Sequence, residues 1–344
     1  MKLPRRSFLA GSAVAAAMRA QAERKVKIAF LGISHSHGSG KLAAVQNNPV
    51  FELAGIWEPD AQLAAKQKNV KLLSREEILK DSSIQAIAVE SDVLELAKHA
   101  RAALEAGKHV HIEKPPAATL SEFRKLQDLA AAKQRILQVG YMWRYNPGVE
   151  KIFELVHQGW LGDVFLVRAM MNTQVDASSR KAWARFKGGD MFEQGSHLVD
   201  FMVRLMGRPA NVTSVLRHHG KTHQDSLADN TAAILEWPGA LGVLTAAALQ
   251  PGATIHRFME VQGSNGTAVL RPIEGPYLAL ELVKAAGPYS AGPQRVELAT
   301  YRRYEGDFED LAQCILKSKP LTVATPEQDL AVHETLLKAS QMSL

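Results

Sequence analysis

Gly107–Pro115 reads GKHVHIEKP, and this stretch decides the fold. A helical run over Leu94–Ala106 ends at Gly107, and a short β-branched strand, His109–Ile112, follows at once. The strand runs into Glu113-Lys114-Pro115. A lysine at the carboxyl end of a buried parallel strand stands where open α/β sheets bind their ligands. There an ammonium can polarise a substrate oxygen or donate a proton. Pro115 and Pro116 stop the strand and stiffen the turn that aims Lys114.

Upstream, Lys25–Gly32 is a strand ending in glycine, Lys41–Asn47 opens a helix, and Phe51–Trp57 is a second strand ending at Glu58-Pro59-Asp60. Ser74-Arg75-Glu76-Glu77 fits a capping box before a helix. Ile84–Val89 is a third, largely apolar strand. Leu120–Lys133 and Ile136–Val139 supply another helix and strand. Strands alternating with helices predict a doubly wound parallel sheet over residues 24–145.

Past Pro147 the pattern changes. After a helix over Val149–Gln158, extended segments follow with little helix between them: 164–173, 212–216, 231–236, 242–248, 257–261, 267–270 and 295–301. These predict a mostly antiparallel sheet packed on helices over residues 146–344, an α+β unit beside the first. One helix is expected from Met191 to Gly207, and two more, Glu305–Lys317 and Pro326–Ser340, close the chain, with room to pack back on the first unit.

The chain of 344 residues is long enough for two cores, and its 46% hydrophobic and 22% charged content is ordinary for a globular protein. The net charge of +6 comes from scattered Lys and Arg, with no basic run interleaved with aromatics, so nucleic-acid binding is not expected. The single cysteine, Cys314, reads as core packing. Met1–Ala22 reads MKLPRRSFLAGSAVAAAMRAQA. Arg5-Arg6 resembles a twin-arginine export motif, the apolar run from Phe8 to Met18 is shorter than the ~20 residues that span a bilayer, and Ala20-Gln21-Ala22 offers a cleavage site. A periplasmic or exported protein, delivered by the twin-arginine machinery, is expected.

Gly32-Ile33-Ser34-His35-Ser36-His37-Gly38 stands where a dinucleotide-binding turn belongs. In G-x-G-x-x-G the second glycine lets the backbone approach a pyrophosphate. Here Ser34 takes that place, and His37 or Gly38 takes the third. The following helix N-terminus still favours a phosphate. Glu58, ending the second strand, would accept hydrogen bonds from ribose hydroxyls and repel a 2′-phosphate, which favours NAD over NADP. Gly32, Ser34, His35, His37, Glu58, Glu113 and Lys114 are the expected cofactor contacts. His35 and His37 invite a metal reading, but one ring capping the helix or touching phosphate and the other in water is expected, with no metal.

Gly188–Asp200 reads GGDMFEQGSHLVD. On one helix Glu193 and His197 share a face, with Asp200 beyond them, and they would form an acid–base relay. The spacing is not H-E-x-x-H. In GYMWRYNP, residues 140–147, Arg144 would clamp an anion or a sugar hydroxyl, and Trp143 and Tyr145 would stack on a sugar face. Arg144, Tyr145 and Asp190 are the expected substrate contacts.

Together ALEAGKHVHIEKP at 103–115, Arg144-Tyr145-Asn146-Pro147 and GGDMFEQGSHLVD resemble the glucose–fructose oxidoreductase / inositol dehydrogenase (Gfo/Idh/MocA) family over nearly the whole mature chain. The resemblance implies a Rossmann domain, a C-terminal domain with an open sheet, and dimers or tetramers packed through those sheets. It makes Lys114 the catalytic lysine and His197 the catalytic histidine, with Glu193 where an aspartate is usual. Ser91–Leu96 reads SDVLEL where the family usually has T-P-N-x-x-H. The implied function is NAD-dependent oxidation of a CH–OH group on a sugar, cyclitol or derivative. The alternatives are a redox-neutral cycle on a tightly bound NAD, as in a glycosidase or a sugar–sugar oxidoreductase, and a non-catalytic binding protein.

Overall fold

The computed structural model describes residues 25–221 and 223–344. The leader expected at Met1–Ala22 lies outside them. The chain begins β1 (Val26–Leu31), α1 (Gly38–Asn47), β2 (Phe51–Trp57), α2 (Ala61–Ala65), α3 (Arg75–Lys80), β3 (Ala86–Val89), α4 (Val93–Glu105), β4 (His109–Ile112), α5 (Leu120–Ala132) and β5 (Leu137–Val139). The five strands pair in parallel in the order β2-β1-β3-β4-β5. All four residues of β3 are buried, as a strand covered on both faces requires. Outside β2 a single parallel bridge joins Ile56 to Leu72, one residue doing the work of a further strand. Strand order reverses between β1 and β3, so a crevice opens at their carboxyl ends. Ser74 and Glu77 cap α3 reciprocally.

A 3₁₀ turn (Met142–Tyr145) leads to α6 (Pro147–His157), capped by Asn146. Then come β6 (Val164–Asn172), α7 (Ala177–Trp183), α8 (Asp190–Glu193), α9 (Gly195–Met206), β7 (Asn211–Arg217), β8 (Asn230–Trp237), β9 (Ala240–Ala247), β10 (Phe258–Gly263), β11 (Gly266–Leu270), β12 (Tyr277–Leu282), β13 (Gly292–Glu297), α10 (Glu305–Lys317) and α11 (Pro326–Ala339). The eight strands form one sheet, β13-β12-β11-β10-β6-β9-β8-β7, antiparallel except at β6–β9. Alternation along β8 and β9 buries Ala233, Leu235, Leu244 and Ala246, while Phe165, Val215, Ile234 and Leu241 stay exposed. α10 returns to the first sheet, where Phe308 packs on Phe30, Phe51 and His111.

Several segments differ from the sequence expectation, and the short helices α2 and α7 were not foreseen. β12 was not foreseen, because its YLALEL run is rich in Leu, Ala and Glu, which carry little strand preference. The strand expected over 295–301 is instead Gly292–Glu297. The helix expected from Met191 to Gly207 breaks at Gln194 into α8 and α9; Gly189, at φ 49°, turns the chain into the first of them.

Candidate active site

The crevice is lined from three directions. The β1–α1 turn brings His35 and His37, the end of β3 brings Glu90, and the end of β4 brings Glu113 and Lys114. From the second sheet's side, α8 and α9 bring Asp190, Glu193 and His197. Lys114 is 2% exposed, and its Nζ donates to Glu193 Oε1 at 2.5 Å and to the Glu193 main-chain oxygen at 3.0 Å. Burial alone would raise the Glu193 pKa, but Lys114 and His35 outweigh it and hold the carboxyl at about 2.

The relay expected between Glu193 and His197 does not form. The helix breaks between them, and Glu193 spends its carboxylate on Lys114 and on His35 Nε2, 3.2 Å away. His197 is 3% exposed, and neither ring nitrogen has a hydrogen-bond partner among the described residues. Burial, reinforced by Lys114, drives its pKa well down, so the imidazole is neutral, with both nitrogen positions free of partners among the described residues. Trp143 and Tyr141 pack on its ring, with centroids 5.1 and 5.9 Å away. Trp143, expected on a sugar face, therefore backs His197 and donates to Glu274 at 2.9 Å.

Neither histidine of the turn is solvated, which corrects the expectation for that pair. His37 occupies the N-cap position of α1 but makes no side-chain cap; its Nδ1 lies 3.1 Å from Glu113 Oε1. Burial lowers the His37 pKa to about 4. Behind them lies a buried ion network that the sequence reading missed. Lys41 of α1 is wholly buried and donates to Glu90 at 2.9 Å and to Glu113. Burial would lower the Lys41 pKa, but Glu113 and Glu90 raise it; Glu90 is pushed well up by burial, and Glu113 is held well down because Lys41, His35 and His37 overcome burial. A carboxylate closing the apolar run Ala86–Val89 was the available signal.

Arg144 and Tyr145 do not face substrate. Arg144 is 5% exposed and donates to Asp200 at 2.6 and 3.0 Å and to Asp329 at 2.6 Å, so its fork is consumed in tying the turn to α9 and α11. Tyr145 accepts from Gln138 and donates to Asp310, both at 3.0 Å. Asp190 is wholly buried near Glu193 and Lys114. Both its oxygens lack a partner among the described residues, and burial, then Glu193 and Asp229, push its pKa well up.

The turn fits a dinucleotide diphosphate. Gly32 has φ 79°, and a Cβ there would lie 2.4 Å from Ser91 Oγ. Ser34, Ser36, Ser39 and Gly40 are exposed at the start of α1, whose N-terminus carries no side-chain cap. Glu58 ends β2 as expected, and its Oε2 accepts from Ile33 N at 2.7 Å, setting the shape of the turn.

Comparison with known proteins agrees with this arrangement. The profile for the oxidoreductase family with an NAD-binding Rossmann fold matches residues 26–141, and that for the GFO/IDH/MocA C-terminal domain matches residues 149–269. The chain is 27% identical to the uncharacterized oxidoreductase YdgJ of Escherichia coli over 71% of its own length and 70% of that protein's. It is 27% identical to scyllo-inositol 2-dehydrogenase (NADP(+)) IolW of Bacillus subtilis, over 56% of this chain and only 55% of that protein. The fold matches that of a levoglucosan dehydrogenase solved with NADH and levoglucosan, at TM-score 0.79 and 18% identity, over 92% of this chain and 97% of the other. Both halves of the chain belong to the Gfo/Idh/MocA oxidoreductase family, an NAD-binding Rossmann domain joined to the family's C-terminal domain.

Proposed function

We propose that this protein oxidises a CH–OH carbon of a sugar, cyclitol or derivative, with the hydride passing to a bound nicotinamide. The observation that carries the reading is the neutral, unpartnered imidazole of His197 beside the ammonium of Lys114. His197 takes the hydroxyl proton, and Lys114 stabilises the oxygen as it becomes a carbonyl. Glu193 holds Lys114 in place, and Asp190, whose carboxyl pKa burial pushes well up, would offer a hydrogen bond to a neighbouring hydroxyl. Gly32, Ser34 and the α1 N-terminus would hold the diphosphate, and Glu58 favours NAD over NADP. When bound, the nicotinamide supplies the hydride acceptor. IolW and the levoglucosan enzyme support a polyol substrate by their names.

A panel of sugars and cyclitols with added NAD⁺ tests the reading by the absorbance of reduced nicotinamide. Turnover on at least one polyol that is lost in His197→Asn is expected. Turnover equal in wild type and His197→Asn refutes it.

A second reading, a redox-neutral cycle on tightly held NAD, is favoured by the His35–Glu193 contact, which ties the cofactor turn to the substrate-side helix. Glycoside cleavage or sugar–sugar exchange without net NADH distinguishes it. We also propose export through Arg5-Arg6, tested by retention of an Arg5→Lys/Arg6→Lys precursor in the cytoplasm. Pairing of copies through the sheet face bearing Phe165, Ile234 and Leu241 is a further proposal, tested by sedimentation of a Leu241→Lys variant.

A further inference from the structure

We propose that His35, His37 and Glu113 form a site for one divalent transition-metal cation, open toward His197. The donor atoms of the three residues all lie within 4.8 Å of one another. His37 Nδ1 is 3.1 Å from Glu113 Oε1, and His35 Nδ1 is 3.8 Å from Glu113 Oε2. Tetrahedral zinc with bonds of about 2.0–2.1 Å spaces its donors about 3.4 Å apart, so a bound cation would draw these donors, which lie up to 4.8 Å apart, in onto one Glu113 oxygen.

The surroundings suit a metal. His35 Nε2 faces Glu193 Oε1 at 3.2 Å, so the proton sits on Nε2 and leaves the Nδ1 lone pair toward Glu113. A carboxylate that fixes the tautomer of a ligating imidazole is the usual outer partner in such sites. One contact shares that lone pair, the His37 main-chain N–H at 3.2 Å, at the long end for such a bond. Lys41 steadies Glu113 from behind. The three side chains are 7%, 16% and 0% exposed, which leaves a cation little access to competing water.

A second feature points the same way. His197 is buried with both nitrogens unpartnered, and its ring centroid is 6.1 Å from that of His37. A water or substrate oxygen on the cation's open position would meet that ring. Two imidazoles and one carboxylate select zinc, cobalt(II) or iron(II) over calcium and magnesium. Such a cation would polarise a hydroxyl or carbonyl oxygen of a bound polyol. The site does not depend on hydride transfer being the reaction.

The test uses the full chain, treated with chelator and then dialysed against Zn²⁺ or Co²⁺. Elemental analysis should find about one cation per chain, and Co²⁺ should give visible absorption of a low-coordinate nitrogen–oxygen site. His35→Ala and His37→Ala should each weaken binding by at least about tenfold. In the wild-type chain alone, Zn²⁺ should raise the melting temperature, since a cation that binds only the folded state stabilises it. The proposal is overturned if the wild type retains no cation above a protein-free dialysis blank and melts unchanged with Zn²⁺. It is equally overturned if a folded His35→Ala/His37→Ala variant retains as much as the wild type.

Discussion

Lys114 Nζ reaches across the crevice to Glu193 Oε1 at 2.5 Å, joining the end of the parallel sheet to the helix that opens the catalytic run of the second half. Both groups are buried, so each is the other's counter-charge. Lys114→Met leaves the Glu193 carboxylate unpaired and is expected to cost about 3–5 kcal/mol of stability. Lys114→Met/Glu193→Met is expected to recover much of that loss, read as the coupling in a denaturant double-mutant cycle, while both variants stay inactive.

His197 separates chemistry from stability. Because it makes no hydrogen bond, His197→Asn is expected to shift the unfolding midpoint little and to lower kcat by about 10²–10⁴-fold. A melting curve beside steady-state kinetics checks both halves. A large loss of stability with unchanged kcat would assign the ring to packing.

Arg144 is expected to behave in the opposite way. Its guanidinium neutralises Asp200 and Asp329 in the interior. Arg144→Met is expected to destabilise the protein by about 3–5 kcal/mol. Whatever folded protein remains should keep its substrate KM, which a substrate clamp would not allow.

Asp307 makes stability depend on pH. Burial, in spite of Lys41, pushes its pKa from 3.8 up to about 7, and neither oxygen has a partner among the described residues. A carboxyl with a raised folded pKa contributes fully below pH 3.8, and the contribution is lost as pH rises toward 7. Within that window the slope is about 1.4 kcal/mol per pH unit. Asp307→Asn should remove this component of the slope and melt higher than the wild type at pH 8 (denaturation scans from pH 5 to 9).

The fold was legible wherever period and punctuation agreed. Gly107, the apolar run at 86–89 and the prolines after Lys114 announce a parallel strand locally. The long-range partners were not legible. Arg144 looked like a clamp because nothing near it in sequence reveals Asp200 and Asp329, which arrive on other helices. Glu193 and His197 share a helical spacing, and Gly189 and the break at Gln194 cancel it. Lys41 was read only as the start of a helix, because its burial depends on Glu90 and Glu113 at the ends of two strands. Charge pairing across the chain is a property of topology, and period alone does not encode it.

Phe308, from the last third of the chain, fills the space over Phe30 and Phe51 in the first sheet. The part of the protein that leaves the ribosome first is therefore finished by a helix that leaves it near the end. Until residues 305–317 have emerged, that sheet lacks this apolar cover, and the first half is expected to complete its packing only after the second has been made. Synthesis order and assembly order run against each other here, and a fragment ending before α10 should aggregate where the full chain does not.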